Sequence, residues 1–144
     1  MTPCSMRSAP CRVLFCYLEA EGRVVSVGGF TLQHVNAHAT GTTHGDDVEA
    51  IVINKIYGPD VPTTSIKGYM GHTMGACGAI EAIATLLMMR EGFIASTLNL
   101  ESPDPALPPI NHVMGESRNQ RFSLAASNNF AFGVVNTSLV LSSV

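Results

Sequence analysis

One stretch of the chain brings together a cation, an imidazole, closely spaced glycines and a carboxylate. It reads Lys67-Gly-Tyr-Met-Gly-His72-Thr-Met-Gly-Ala-Cys-Gly-Ala-Ile-Glu81. A second imidazole, His38, lies upstream in Val35-Asn-Ala-His-Ala-Thr-Gly-Thr42. Two neutral imidazoles can donate to one carbonyl oxygen as it gains negative charge. The pair therefore indicates acyl or enolate chemistry, yet we find no obvious nucleophile for it.

Each histidine lies next to an element that can position it. Residues 32–37 are rich in β-branched side chains and predict a strand, with His38 just after its end. Apolar spacing predicts a helix from Met74 to Arg90, so His72 lies just before its N-terminus. The helix dipole there disfavours the imidazolium form. Both positions suit neutral donors at the mouth of an α/β site.

Each of these residues also has an ordinary structural interpretation. A single histidine is more often a structural hydrogen-bonding group than a catalyst. Thr40, Thr42 and Thr43 can cap the next helix or, alternatively, bind amide groups of an extended polar cofactor arm. Lys67 and Glu81 are either solvated charges or a pair that supports the histidines. For the two histidines the joint pattern favours the functional interpretation, whereas for the threonines capping is the better-supported one and for Glu81 a solvated charge is the usual one.

Other chemistries are disfavoured by their missing motifs. His34, His38 and His44 lack the glutamate of a His-Glu-x-x-His helix, so we expect no metal site. No Gly-x-Ser-x-Gly elbow, phosphate-binding loop or dinucleotide-binding glycine motif occurs. The four cysteines, Cys4, Cys11, Cys16 and Cys77, suit neither a zinc knuckle nor a disulfide framework. We expect reduced thiols and a cytoplasmic protein.

Composition sets further bounds. The chain has 144 residues, 46% hydrophobic and 13% charged, and its net charge is −3. A net negative charge does not provide the positively charged surface that binds nucleic acid. The longest apolar stretch, residues 79–89, is shorter than the roughly 20 residues of a membrane helix, so we expect no membrane partner. The high apolar content suggests that another protein covers part of the surface.

Strand and helix patterns alternate along the chain. Strands are predicted over residues 23–27, 32–37, 61–66, 122–126 and 137–141. One helix opens near Asp46, with Val48, Ile51, Val52 and Ile56 on its apolar face, and ends at Gly58. In the second helix the apolar face comprises Ile80, Ile83, Ala84, Leu87 and Met88. This alternation predicts an α/β layer architecture.

Several motifs in one order resemble the C-terminal half of the β-ketoacyl-acyl-carrier-protein synthases, of the KAS I/II type, and the related polyketide ketosynthase domains. They are the His38 segment, Gly45-Asp46 with Glu49, the Lys67–Glu81 segment and Asn129-Phe-Ala-Phe-Gly133. The resemblance covers about residues 33–144, whereas residues 1–32 do not match. It implies a thiolase-like fold, of which this chain would be the C-terminal half, with a mixed five-stranded sheet and layered helices.

The resemblance also implies a reaction, a decarboxylating Claisen condensation. An acyl chain is carried on a cysteine, and malonyl carrier protein loses carbon dioxide to give the attacking enolate. His38 and His72 match the two catalytic histidines, Lys67 the family lysine and Glu81 its supporting glutamate. By the same resemblance, Thr40 and Thr42 contact pantetheine, and Phe132 matches the gating phenylalanine at the oxyanion hole.

The chain departs from the family at two places. The family's nucleophilic cysteine lies in its N-terminal half, and nothing here matches its surroundings; Cys77 replaces a small helix residue and is not the nucleophile. The family's Gly-Phe-Gly-Gly loop reads Ala131-Phe132-Gly133-Val134, which would strain Val134 if that position needs a positive φ.

The resemblance therefore predicts part of a condensing enzyme for fatty-acid or polyketide synthesis, which should not condense acyl chains alone. Its expected partners are acyl carrier protein, whose phosphopantetheine carries the substrate, and the missing N-terminal half or a homologous subunit. The family also implies a dimer. No tightly bound cofactor is expected. The alternative is a non-catalytic, truncated paralogue that associates with a condensing enzyme.

Overall fold

A computed structural model describes residues 11–16, 26–27, 30–131 and 135–143, and side chains within 31–131 and 135–143. Its helices are α1 (Thr43–Tyr57), α2 (Lys67–Met70) and α3 (Cys77–Glu91), and a 3-10 turn at Met74–Ala76 precedes α3. Its strands are β1 (Cys11–Cys16), β2 (Ser26–Val27), β3 (Phe30–Thr31), β4 (His34–Asn36), β5 (Pro62–Thr64), β6 (Asn111–His112), β7 (Leu124–Ala131) and β8 (Val135–Ser143).

The main sheet is mixed and has the order β1-β8-β7-β4-β5-β6, while β2 and β3 form a separate hairpin. Strand β4 runs parallel to both β5 and β7, and β6 is parallel to β5. Strands β7 and β8 form an antiparallel pair, and β1 is antiparallel to β8. The predicted mixed five-stranded sheet is confirmed within residues 33–144, and β1 adds a sixth strand at one edge.

Two apolar clusters lie on opposite faces of this sheet. On one face, Val35 and Ala126 pack with Ile53 and Tyr57 of α1. On the other, Ala125 and Leu141 pack with Met88 of α3. Adjacent residues of a strand point to opposite faces, so Ala125 and Ala126 divide between the two clusters. The sheet is therefore covered by helices on both sides, which confirms the α/β layering.

The predicted apolar faces of the two long helices are confirmed only in part: Met88 is buried as predicted, but the other predicted residues are half-buried or exposed. In α1 the buried residues are Glu49, Ala50, Ile53 and Tyr57, whereas Val48 and Ile51 are about half exposed. In α3 the buried set is Cys77, Glu81, Thr85, Met88 and Met89. Ile83 and Leu87 remain 57% and 43% exposed. Periodicity located both helices, but it did not identify the distant partners of the buried Glu49 and Glu81, which lie on the inward faces.

The C-terminal strands are longer than predicted. β7 continues through Asn129 to Ala131, and Ala131 pairs with Val135 at the start of β8. Residues 127–131 are thus part of a strand that continues beyond its predicted end at residue 126. This extension carries Asn128, Asn129 and Phe130 alongside the end of β4.

Candidate active site

Parallel pairing brings the first two site residues to one edge of the sheet. Val35 and Asn36 of β4 lie beside Thr63 and Thr64 of β5. His38 and Lys67 follow shortly after these strand ends. Since parallel strands end at the same edge, side chains 29 positions apart meet there. The amide N–H of Ala37 donates to the carbonyl of Thr64 at 2.7 Å and extends the pairing to the site.

Lys67 and Glu81 form a buried ion pair. Lys67 is 8% exposed and Glu81 is fully buried, and Lys67 Nζ contacts Glu81 Oε1 directly. Lys67 Nζ also donates to Nδ1 of His38 at 3.3 Å. The Cys77 thiol, one turn before Glu81, donates to the same Oε1 atom at 3.4 Å. The predicted pair is thus present, and it connects α2, α3 and the end of β4.

His38 is a neutral imidazole with a defined tautomer. An ammonium group has only donors, so Nδ1 of His38 must accept from Lys67 and the ring proton must lie on Nε2. Burial, and then the charges of Lys67 and His72, lower the pKa of His38 from 6.5 to about 4. The ring is therefore neutral at physiological pH and offers Nε2–H as a donor.

His72 has the same tautomer for a different reason. The backbone N–H of Met74 donates to Nδ1 of His72 at 3.0 Å, which leaves the proton on Nε2. Met74 holds this position with a left-handed φ of 54°. The rings of His38 and His72 lie 5.5 Å apart, edge to face, and His72 is exposed. The two predicted histidines are thus adjacent, each with a free Nε2–H group in the described residues.

Glu49 supports His38 from behind, a role that the sequence did not reveal. Its Oε1 atom accepts the backbone N–H of His38 at 2.9 Å, and Oε2 accepts that of Ala39 at 2.7 Å. Burial raises the pKa of the Glu49 carboxyl, and these two N–H groups oppose that rise. Ala39 has a strained φ of 23°. The available signal for this role was a carboxylate on the helix α1, at a position that is buried in the structure.

β7 supplies two further neighbours of His38. The side-chain amide of Asn129 lies 3.4 Å from Nδ1 of His38. The ring of Phe130 lies 5.8 Å away in an edge-to-face arrangement. Both residues belong to the motif around Phe132, but no role was predicted for them. Lys67 and Asn129 therefore both lie on the side of the His38 ring that carries Nδ1.

The threonines are placed at the start of α1. Thr42 occupies the N-cap position but makes no side-chain capping hydrogen bond. The hydroxyls of Thr40 and Thr42 lie 3.0 Å apart, and Thr42 is exposed. The capping interpretation of Thr42 is therefore not supported, and both hydroxyls stay close to His38 along the chain.

Some predicted features lie outside the described residues. Phe132 and Val134, and with them the predicted strain of the gating loop, belong to residues 132–134. Cys4 also lies outside the described part. Cys77 is a buried free cysteine beside Glu81. His34 packs in the core against Phe122, and in the described residues it joins no cluster of metal-ligating groups.

A cavity of about 610 Å³ lies beside His38, whose chain neighbours Ala37 and Ala39 belong to its lining. Its lining includes Glu49, Thr63, Leu100, Leu107 and His112. It does not include His38, His72, Lys67 or Glu81. Of the predicted catalytic groups, His72 is exposed, whereas His38, Lys67 and Glu81 are buried outside the lining of this cavity.

The mixed sheet with helices on both faces is the thiolase-like fold of the ketosynthase structures that this chain resembles. The family described as "Beta-ketoacyl synthase, C-terminal domain" matches residues 23–101. The chain belongs to the β-ketoacyl synthase family. The match begins ten residues before the boundary suggested by the motifs, and the division at residue 32 stays a prediction.

Comparisons with known proteins agree with this family assignment. The chain is 39% identical over 121 residues to the 3-oxoacyl-[acyl-carrier-protein] synthase 2 of Mycobacterium bovis. It resembles a β-ketoacyl synthase structure from Burkholderia phymatum at 45% identity and a TM-score of 0.76. It also resembles a ketosynthase in complex with its chain length factor from Xenorhabdus doucetiae, at 38% identity and a TM-score of 0.72.

The chain spans less than a third of the length of these relatives. The matched part covers 81% of this chain and 29% of the M. bovis protein. For the two structures the matched part is 78% of this chain and 28% or 29% of theirs. Separately, no helix in the described part of the chain is long and apolar enough to cross a membrane.

Proposed function

We propose that this chain supplies the decarboxylation and enolate-stabilising half of a β-ketoacyl synthase active site. The observation that carries the proposal is the arrangement of His38 and His72. Both rings accept at Nδ1 and keep Nε2–H free, and they lie 5.5 Å apart. Two neutral donors at one surface suit an oxygen that becomes negative during the reaction.

In this proposal, malonyl thioester loses carbon dioxide and the electron pair moves onto the thioester oxygen. The Nε2–H groups of His38 and His72 donate to that oxygen. Stabilisation is greatest when the charge has formed, so it acts on the transition state. The enolate carbon then attacks an acyl thioester held on a cysteine that another polypeptide segment supplies.

Lys67 and Glu81 position His38 and keep it neutral. The buried ammonium donates to Nδ1 and disfavours protonation of the ring, and Glu81 balances its charge. Phe132 is proposed to gate the acyl site and to contribute to the oxyanion hole, by family resemblance. Glu49 is a positioning residue, because it binds the backbone and not the reacting atoms.

The substrate is proposed to arrive on the phosphopantetheine of acyl carrier protein, with Thr40 and Thr42 contacting the pantetheine arm. The M. bovis relative is named for such a carrier protein. The second partner is the missing N-terminal half or a homologous subunit, in the dimer that the family implies. The exposed Ile83 and Leu87 of α3 offer it an apolar surface. We place this activity in the cytoplasm.

A chimera tests the proposal. The matching C-terminal segment of the M. bovis synthase is replaced by this chain, and the release of carbon dioxide from malonyl carrier protein is measured. We expect activity, with losses of about 100-fold or more in the His38→Ala and His72→Ala variants. His34→Gln is the matched control, because His34 lies in the core. A folded chimera without decarboxylation contradicts the proposal.

A second candidate is a non-catalytic partner subunit. The exposed apolar face of α3 favours it, because this face suits association without requiring chemistry. The same chimera separates the two functions. Correct assembly with no decarboxylation, together with binding of the free chain to an intact condensing enzyme, supports the partner role. Histidine-dependent decarboxylation supports the catalytic role.

A further inference from the structure

We propose that His38, Cys77 and Glu81 form a binding site for a thiophilic divalent cation such as Zn²⁺, which enters in place of the Lys67 ammonium. The three residues are buried, and one ligand atom from each lies within 4.8 Å of the others. In the described part of the chain this is the one cluster of this kind. It requires neither the partner half nor condensing activity.

The donor geometry approaches that of a zinc site. Zinc–sulfur bonds of about 2.3 Å and zinc–oxygen bonds of about 2.0 Å at tetrahedral angles separate the two donors by about 3.5 Å. The Sγ atom of Cys77 lies 3.4 Å from Oε1 of Glu81. The donor atom of His38 lies within 4.8 Å of both. An imidazole, a thiolate and a carboxylate are also the ligand types that zinc prefers.

The charge of the cluster also suits a cation. A positive group already occupies this place, since Lys67 Nζ contacts Oε1 of Glu81 and lies 3.3 Å from Nδ1 of His38. The other oxygen, Oε2 of Glu81, is buried and has no hydrogen-bond partner among the residues that the structure describes. On metal binding, the Cys77 thiol releases its proton to the buffer, and the Lys67 ammonium moves out of the cluster. Thiolate and carboxylate then neutralise the dication.

The proposal makes Lys67 a competitor of the metal and not a ligand. Removal of the ammonium should strengthen metal binding, because a positive charge next to the site opposes a dication. Removal of Cys77 should weaken it, because a ligand is lost. Nonspecific metal binding would not be strengthened by the removal of Lys67 and weakened by the removal of Cys77. These opposite effects therefore distinguish the proposed site from nonspecific binding.

The test uses Co²⁺ as a spectroscopic probe of the full chain. Cys4, Cys11 and Cys16 are first replaced by serine, so that Cys77 is the sole thiol. We expect a thiolate-to-cobalt charge-transfer band and the visible bands of tetrahedral cobalt, both displaced by Zn²⁺. Adding Cys77→Ala should remove the charge-transfer band and weaken Zn²⁺ binding about 100-fold or more.

Lys67→Met in the same background should tighten Zn²⁺ binding at least about tenfold, measured by competition with a chelator. Circular dichroism verifies that each variant is folded. His38→Gln provides a second ligand variant, with the expected loss of affinity. The proposal is overturned if the folded protein that retains Cys77 shows no charge-transfer band. Weaker binding in the Lys67→Met variant also overturns it.

Discussion

The ammonium of Lys67 lies 3.3 Å from Nδ1 of His38 and donates to it. This contact determines which ring nitrogen carries the proton and opposes a second protonation. Because Lys67 is itself held by Glu81, the state of His38 depends on a buried ion pair formed between α2 and α3. The chemistry that we propose for His38 therefore has consequences for titration and for stability.

The first prediction concerns the titration of His38. Its pKa is lowered from 6.5 to about 4, first by burial and then by Lys67 and His72. Between these values the unfolded chain binds more protons at this site than the folded chain. The free energy of unfolding should therefore fall as the pH is lowered from about 6.5 to about 4.

NMR titration of the His38 ring measures this directly. The Lys67→Met variant should raise the pKa of His38, because it removes a positive neighbour but leaves most of the burial. A His38 pKa near 6.5 in the folded wild-type chain would contradict the prediction. The His38→Gln variant should show a weaker dependence of stability on pH across the same window.

The second prediction concerns the stability of the ion pair. Lys67→Met leaves the fully buried Glu81 without its cation, so the free energy of unfolding should fall by about 3–5 kcal/mol. Urea unfolding measures the change. Glu91→Gln is the control, since it breaks an ion pair with Arg90 that is more than half exposed. The control should change stability by about 0.5 kcal/mol or less.

The third prediction concerns Glu49. Glutamine offers one acceptor oxygen where the carboxylate serves two backbone N–H groups, at His38 and Ala39. Glu49→Gln should cost about 1.5–3 kcal/mol of stability, the value of one hydrogen bond to a charged group. Asp47→Asn on the same helix is the control and should be nearly neutral. Equal effects of the two changes in urea unfolding would refute the positioning role.

The fourth prediction concerns the exposed face of α3. Ile83→Gln with Leu87→Gln should leave the stability of the free chain within about 0.5 kcal/mol, because both side chains are largely exposed. The same pair should weaken association with the complementary half, measured by sedimentation. Met88→Ala provides the contrast, since Met88 is buried and its loss should cost about 2–5 kcal/mol. Unchanged association would argue against this face as the contact surface.

The fifth prediction concerns Gly68, next to Lys67. A Cβ atom at this position would lie 2.7 Å from the carbonyl oxygen of Leu98. Since that oxygen belongs to the backbone, Gly68→Ala should cost about 1–3 kcal/mol and displace α2. Gly75→Ala is the matched control, because its Cβ would meet nothing within 4 Å. Thermal unfolding compares the two, and similar melting temperatures would contradict the close packing.

Much of the fold was predictable from local patterns. Helices near residues 46–58 and 74–90 and the central strands follow from spacing and turn residues. Their inward faces were not predictable in this way. Glu81 and Thr85 are buried in α3 while Ile83 and Leu87 are exposed. A buried ion pair with Lys67 overrode the apolar periodicity, and periodicity carries no information about such a distant partner.

The sequence by itself determined the chemical groups and their family. Lys67, His72 and Glu81 lie within one short segment, so chain connectivity alone keeps them near each other. Only the tertiary structure decided the state of His38. The parallel pairing of β4 with β5 brings Lys67 to Nδ1, and α1 brings Glu49 to the backbone. These contacts join residues that are 11 and 29 positions apart in the chain. The packing of distant elements forms them, and the local sequence around each residue does not specify them.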